Sequence, residues 1–166
     1  GIAHVVRHDD AGVQPVGAGR NLDDARKAVA YYSKLFGEEN FYLELSDHGL
    51  SDQAHVREGI LELSKEMGLP LVATNDTHYL LKDHAIAQDA LLCIQTGKFL
   101  TETERLRMID TQDYFVKSAE EMEENFRDLP EALENTVKIA ASIDIEIPLG
   151  IARFPVFKTK EGMTSM

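Results

Sequence analysis

Asp76 and His78 stand two residues apart, directly after the apolar run that begins at Leu71. Side chains alternate between the two faces of a strand, so residues two apart at its end point the same way. A carboxylate and an imidazole on one side are two of the ligand types that divalent metals accept. The pair therefore predicts half of a metal site. The simpler interpretation is that Asp76 caps a turn and His78 is a loop residue.

Glu44 and His48 close the preceding predicted strand. Neighbouring parallel strands end at the same edge of a sheet, so we expect both residues beside Asp76. Glu44 could be a metal ligand, an acceptor for a histidine proton, or an outward strand residue. His48 could line the same cleft. For each of the two, a purely structural role is the favoured interpretation.

The other reactive side chains predict no second site. His4, His8, His55 and His84 have no partner at ligand spacing, and Cys93 sits in an apolar stretch that is typical of a core. The sequence has no Gly-x-Ser-x-Gly motif and no phosphate-binding glycine loop. The pattern thus favours metal-dependent chemistry over nucleophilic catalysis.

A β-α-β unit has to position these residues. Residues 41–45 are predicted as a strand, residues 51 to 67 as a helix capped by Ser51 and ended by Gly68, and residues 70–75 as the next strand. A helical crossover of this length predicts two parallel, adjacent strands and an α/β fold.

The rest of the chain is predicted to be mostly loop and helix. Before the β-α-β unit, we expect a loop-rich lead-in over residues 1–19 and a helix that is capped by Asn21 and stopped by Gly37. After it, we expect a helix over 83–94 with Ile86, Ala90 and Leu91 on one apolar face, a loop over 97–110 and an extended piece at 114–116. The remaining elements are a helix opened by the Ser118 capping box, a helix with Pro130 in its first turn, and a strand or extended exit at 144–147.

Composition limits the function classes. The 166 residues carry a formal net charge of -12, which argues against a nucleic-acid clamp unless metal ions supply positive charge. A single cysteine excludes an internal disulfide and favours a cytoplasmic location. No apolar run approaches the roughly 20 residues of a membrane span. The missing initial Met and the polar segment 159–166 suggest a fragment of a longer chain.

Four co-linear segments carry a family resemblance: residues 41–49, 70–79, 91–97 and 129–136. In this order and spacing they resemble the alpha subunit of bacterial replicative DNA polymerase III. The resemblance extends over roughly residues 22–157. It implies the later part of that family's N-terminal polymerase-and-histidinol-phosphatase (PHP) domain and the connection towards the palm.

This resemblance implies a fold and a set of ligands. Residues 1–96 would be part of a distorted (β/α)7 barrel, residues 97–158 a mostly helical connection and residues 159–166 a linker. The family's Asp-x-His motif supplies the last two ligands of a metal cluster, which correspond to Asp76 and His78. Zn²⁺, Mn²⁺ or Fe²⁺ would suit this site. The family's earlier His-x-His motif is absent here, as are the palm carboxylates that use Mg²⁺, so we expect this segment alone to be inactive.

The parent would be a DNA-directed DNA polymerase in the cytoplasm, with DNA, deoxynucleoside triphosphates and other replisome subunits as partners and no membrane. Its PHP region would add 3′→5′ exonuclease proofreading. One alternative is a non-catalytic structural and interaction module. Another is a stand-alone PHP phosphoesterase, against which segments 91–97 and 129–136 argue because they belong to the polymerase form.

Overall fold

A parallel sheet organises the molecule. The computed structural model describes residues 4–6 and 22–151, except for the side chains of residues 4–6 and of Ser51, Asp52 and His55. Strands β1 (His4–Val6), β2 (Phe41–Ser46) and β3 (Leu71–Thr74) pair in the order β1-β2-β3. All pairs are parallel, with Val5 opposite Tyr42 and Glu44 opposite Val72.

The predicted β-α-β unit is confirmed. Helix α2 (Ser51–Met67) connects β2 to β3 and ends at Gly68, whose φ of 68° is the left-handed conformation that favours glycine. Both strands are almost continuously buried, as expected for strands covered on both faces. The α/β class is therefore confirmed, whereas the partial barrel stays a prediction.

Helices supply the remaining regular structure. These are α1 (Leu22–Phe36), α3 (Ala85–Thr96), α4 (Ala119–Asn125) and α5 (Pro130–Ser142), with short 3-10 helices at Glu38–Asn40 and Lys82–His84. The Ser118 hydroxyl accepts from the Glu121 N–H while the Glu121 carboxylate accepts from the Ser118 N–H, which confirms the predicted capping box. Pro130 opens α5 as predicted.

The C-terminal helices cover the sheet. Phe126 and Ala132 share one hydrophobic core with residues of β2 and β3. The Leu71 carbonyl faces away from β2, and the Asn135 side-chain N–H of α5 donates to it at 2.7 Å. This hydrogen bond satisfies the Leu71 carbonyl at the outer edge of β3, where no further strand pairs among the described residues. The division between residues 1–96 and 97–158 stays a prediction.

The apolar face predicted for helix α3 is largely exposed. Ile86 and Leu91 on this face are 69% and 58% exposed. The buried face has the spacing i, i+4, i+7, i+8 and includes a charged residue, Asp89; its members are Ala85, Asp89, Leu92 and Cys93. The carboxylate can be buried because Arg105 donates to both of its oxygens, at 2.6 and 2.7 Å. Cys93 is in the core, as predicted.

Two smaller corrections concern the predicted lead-in and the start of α2. His4–Val6 is a strand within the predicted lead-in, because pairing with β2 supplies hydrogen bonds that three residues cannot make alone. Leu50, not Ser51, occupies the N-cap position of α2, and Gln53 Oε1 accepts its N–H. Of the two alternatives for residues 144–147, a strand or an extended exit, the strand is not formed with the described part of the chain.

Several expectations fall outside what is described. The Asn21 cap, the linker at 159–166 and the side chains of His4, His8 and His55 belong to this group. Across the helices that the structure describes, none is long and apolar enough to cross a membrane.

Candidate metal centre

Asp76 and His78 lie just past the carboxyl end of β3 and contact each other. Asp76 Oδ2 and His78 Nε2 are 3.0 Å apart. The two side chains are 56% and 34% exposed, so solvent reaches both. The segment that follows β3 thus brings the carboxylate and the imidazole into contact where solvent can reach them.

Glu44 joins the ends of β2 and β3. Its side chain is buried, and Oε1 accepts a hydrogen bond from the Thr74 hydroxyl at 2.5 Å. Thr74 is the last residue of β3 and precedes Asp76 by two positions. This contact links Glu44 to the strand end that carries the candidate ligands.

His48 is 2% exposed and both of its ring nitrogens have neighbours. The Asp76 backbone N–H donates to Nε2 at 3.2 Å, and the Gln53 side-chain nitrogen lies 3.0 Å from Nδ1. Gln53 Oε1 accepts the His48 backbone N–H at 2.8 Å, which fixes the orientation of the amide. Because the Asp76 N–H donates to Nε2, that nitrogen carries no proton, and the ring is not an imidazolium in this arrangement.

His48 therefore has a structural role in this arrangement. Burial, with the positive charge of Lys117, lowers the pKa of His48 and keeps the ring neutral. Its Nε2 holds the backbone of Asp76 and is not directed at the open side where Asp76 and His78 meet. Of Glu44 and His48, the structure brings His48 into direct contact with Asp76, through the backbone N–H of Asp76.

Residues 113–117 complete the surroundings of the candidate ligands, and the sequence predicts only an extended piece at 114–116 within them. Asn75 Nδ2 donates to the Phe115 carbonyl at 2.7 Å, and Phe115 pairs with Tyr79 in an isolated parallel bridge. The Tyr114 ring stacks on His48, with centroids 4.4 Å apart. The β propensity of Tyr-Phe-Val was the only local signal for this segment.

Lys117 is a buried cation close to the candidate ligands. Its side chain is 3% exposed, and Nζ donates to Asn75 Oδ1 at 3.1 Å and to the Asp113 carbonyl at 2.8 Å. The Asp113 carboxylate lies 3.5 Å from Nζ.

Burial and the negative charge of Asp76 raise the pKa of Tyr114, so its phenol stays protonated at neutral pH.

Asp76 and His78 suit a divalent metal by donor type but do not make a full site. One oxygen and one nitrogen match the preferences of Zn²⁺, Mn²⁺ and Fe²⁺. In residues 4–6 and 22–151, no group of three or more His, Cys, Asp or Glu side chains is arranged to hold a metal ion. Structural and catalytic Zn²⁺ sites use three or four protein ligands. Further ligands would have to come from elsewhere.

The sequence is similar to curated proteins of one kind, although no protein-family model matches it. It is 48% identical over 123 residues to the DNA polymerase III subunit alpha of Borreliella burgdorferi, matching 74% of this chain and 10% of that protein. The subunit alpha of Campylobacter jejuni is 40% identical over 139 residues, which are 84% of this chain and 11% of that protein. The Saccharopolyspora erythraea protein is 46% identical over 126 residues, which are 75% and 10% respectively.

The matches are consistent in identity and in extent. The chain spans about a tenth of the length of these relatives, and the match covers roughly three quarters or more of the chain. The resemblance inferred from the four sequence segments is thereby confirmed. Over most of its length, the chain is therefore similar to one segment of the DNA polymerase III alpha subunits.

Proposed function

We propose that this chain acts as part of a DNA polymerase III alpha subunit, in DNA-templated DNA synthesis from deoxynucleoside triphosphates. The similarity to alpha subunits, up to 48% identity among the relatives described above, is the observation that carries this proposal. Within the subunit, residues 1–96 would be the later part of the PHP domain. Residues 97–158 would lead to the Mg²⁺-dependent palm, and residues 159–166 would be a linker. DNA and other replisome subunits would be the partners, in the cytoplasm.

The finer part of the proposal concerns a metal-dependent 3′→5′ exonuclease. Asp76 and His78 would be two ligands of a divalent ion, Zn²⁺, Mn²⁺ or Fe²⁺, and the missing ligands would come from other parts of the protein. When bound, such ions activate water and stabilise the leaving oxygen of a phosphodiester. His78 would bind as a neutral imidazole, and Asp76 would contribute negative charge on the exposed side of the strand end.

The test is Asp76→Asn in the full-length protein that contains this chain. The substitution keeps the shape of the side chain and its contact with His78 but removes the ligand charge. We expect 3′→5′ exonuclease activity on a primed DNA to fall about 100-fold or more, as on loss of a metal ligand. Primer extension should be unchanged, because the polymerisation site is separate.

A matched control comes from a neighbouring aspartate. Asp83→Asn makes the same chemical change at a side chain that is 85% exposed, and it should leave both activities at the wild-type level. If Asp76→Asn leaves the exonuclease activity unchanged, or if the wild-type protein has none, the exonuclease role is wrong.

The alternative is a non-catalytic module of the same subunit. It is favoured by the lack of a third ligand within the described part of the chain. In that case Asp76→Asn would change neither activity. A stand-alone phosphoesterase is the weaker alternative, since the relatives are all named as polymerase subunits.

A further inference from the structure

The ring of Tyr114 contacts two histidines. It stacks on His48, with an interplanar angle of 12°. It also meets His78 in an edge-to-face arrangement, with centroids 5.6 Å apart and an interplanar angle of 85°. His48 is itself held by Gln53 and by the Asp76 backbone, so the Tyr114 ring rests on a fixed support.

The backbone of Tyr114 is tied to the same place. Its carbonyl accepts the N–H of His78 at 2.8 Å and that of Tyr79 at 3.2 Å. Its own N–H donates to the Tyr79 hydroxyl at 3.2 Å, and the Val116 N–H donates to the Tyr79 carbonyl at 3.1 Å. The backbone at His78 is therefore held independently of the Tyr114 ring.

We propose that Tyr114 is a positioning residue that holds the His78 imidazole in the orientation in which it faces Asp76. The contact with Asp76 restrains one edge of the imidazole, and the Tyr114 ring occupies space into which the imidazole would otherwise rotate. The use of this orientation for metal binding rests on the proposed function, but the orientation itself does not.

Two substitutions at Tyr114 distinguish the contribution of its ring from that of its backbone. Tyr114→Ala keeps the carbonyl that accepts from His78 and removes the ring, so the His78 side chain should gain rotamer freedom while the chain stays folded. Tyr114→Phe keeps the ring and removes only the hydroxyl. Because the described contacts of Tyr114 run through its ring and its backbone, phenylalanine should restore the wild-type behaviour.

The first experiment reads His78 directly, without metal. In the full 166-residue chain with uniformly ¹³C-labelled histidine, NMR gives the His78 ring shifts and the Hα–Hβ couplings, assigned by their loss in His78→Gln. We expect Tyr114→Ala to shift the His78 ring signals and to average the couplings, and Tyr114→Phe to keep the wild-type couplings. Tyr31→Ala, at a ring that is 63% exposed on α1, should change neither. The His84 signal reports whether each variant is folded.

The second experiment uses Co²⁺ as the probe in the full-length protein. Tyr114→Ala should weaken Co²⁺ binding about tenfold, as found when a residue that orients a ligand is removed. The visible absorption of bound Co²⁺, which depends on ligand geometry, should also change. Tyr114→Phe should match the wild-type protein in both.

The outcomes distinguish the two proposals. Unchanged His78 couplings in a folded Tyr114→Ala chain, or a Tyr114→Phe variant that behaves like Tyr114→Ala, overturn the positioning role. If Co²⁺ binding does not depend on Asp76, the metal proposal fails, and the NMR result still decides the role of Tyr114.

Discussion

Replacing Phe126 by alanine is expected to lower the free energy of unfolding by about 4 kcal/mol. Phe126 is 1% exposed and ends α4 inside the core that β2 and β3 share. The Arg57 guanidinium also lies 5.8 Å from its ring centroid, and Arg57 donates to both oxygens of Asp128. Removing the ring leaves a cavity that a rigid sheet cannot fill. Urea denaturation of the chain measures the change.

An exposed phenylalanine provides the control. Phe99 is 75% exposed, so Phe99→Ala makes the same substitution with an expected change within about 0.5 kcal/mol. Phe126→Leu retains most of the apolar volume and should destabilise the chain by less than half as much as Phe126→Ala. Equal effects of the alanine substitutions at positions 126 and 99 would show that the α4 end is not part of the core.

Asp89→Ala is the second large expected effect. Asp89 and Arg105 form a salt bridge, and their side chains are 6% and 4% exposed. Arg105 also donates to the carbonyl of Glu102 at 3.1 Å, so the pair holds the loop after α3 against that helix. Removing the carboxylate leaves a buried guanidinium without a counter-charge, and we expect the Tm to fall by roughly 10 °C. Thermal unfolding followed by circular dichroism measures it.

Two further variants make this prediction specific. Asp110→Ala removes a carboxylate that is 63% exposed and contacts Arg107 at 2.9 Å, and it should change the Tm little. The double variant Asp89→Leu with Arg105→Met removes both charges, and it should recover most of the lost Tm. A double variant as unstable as Asp89→Ala would contradict the unpaired-charge explanation.

The same pair predicts a pH dependence. Hydrogen bonds from Arg105 hold the pKa of the Asp89 carboxyl below its usual range. The carboxylate therefore contributes stability fully above the unfolded-state pKa of about 3.9, and this contribution is lost as the pH falls through the lower folded-state pKa. The Tm difference between the wild type and Asp89→Ala should be constant near neutral pH and narrow below about pH 4.

The sequence by itself determined the elements whose signals are local. The strand-helix-strand order of β2, α2 and β3 followed from apolar runs and a helical crossover, and the structure has it. The two-residue spacing of Asp76 and His78 predicted that their side chains lie together, and in the structure they are in contact. The resemblance to DNA polymerase III alpha subunits followed from four segments in a fixed order, and the similarity to those proteins confirms it.

Only the tertiary structure decided which faces and which distant segments meet. The buried face of α3 depends on Arg105, 16 residues after Asp89, because a carboxylate is stable in the interior only with its counter-charge. The Leu71 carbonyl at the outer edge of β3 accepts a hydrogen bond from Asn135, which lies 64 residues later in the chain. Phe115, 40 residues after Asn75, brings the Tyr114 ring against His78. Local spacing carries no information about such contacts, since they form only when the chain packs.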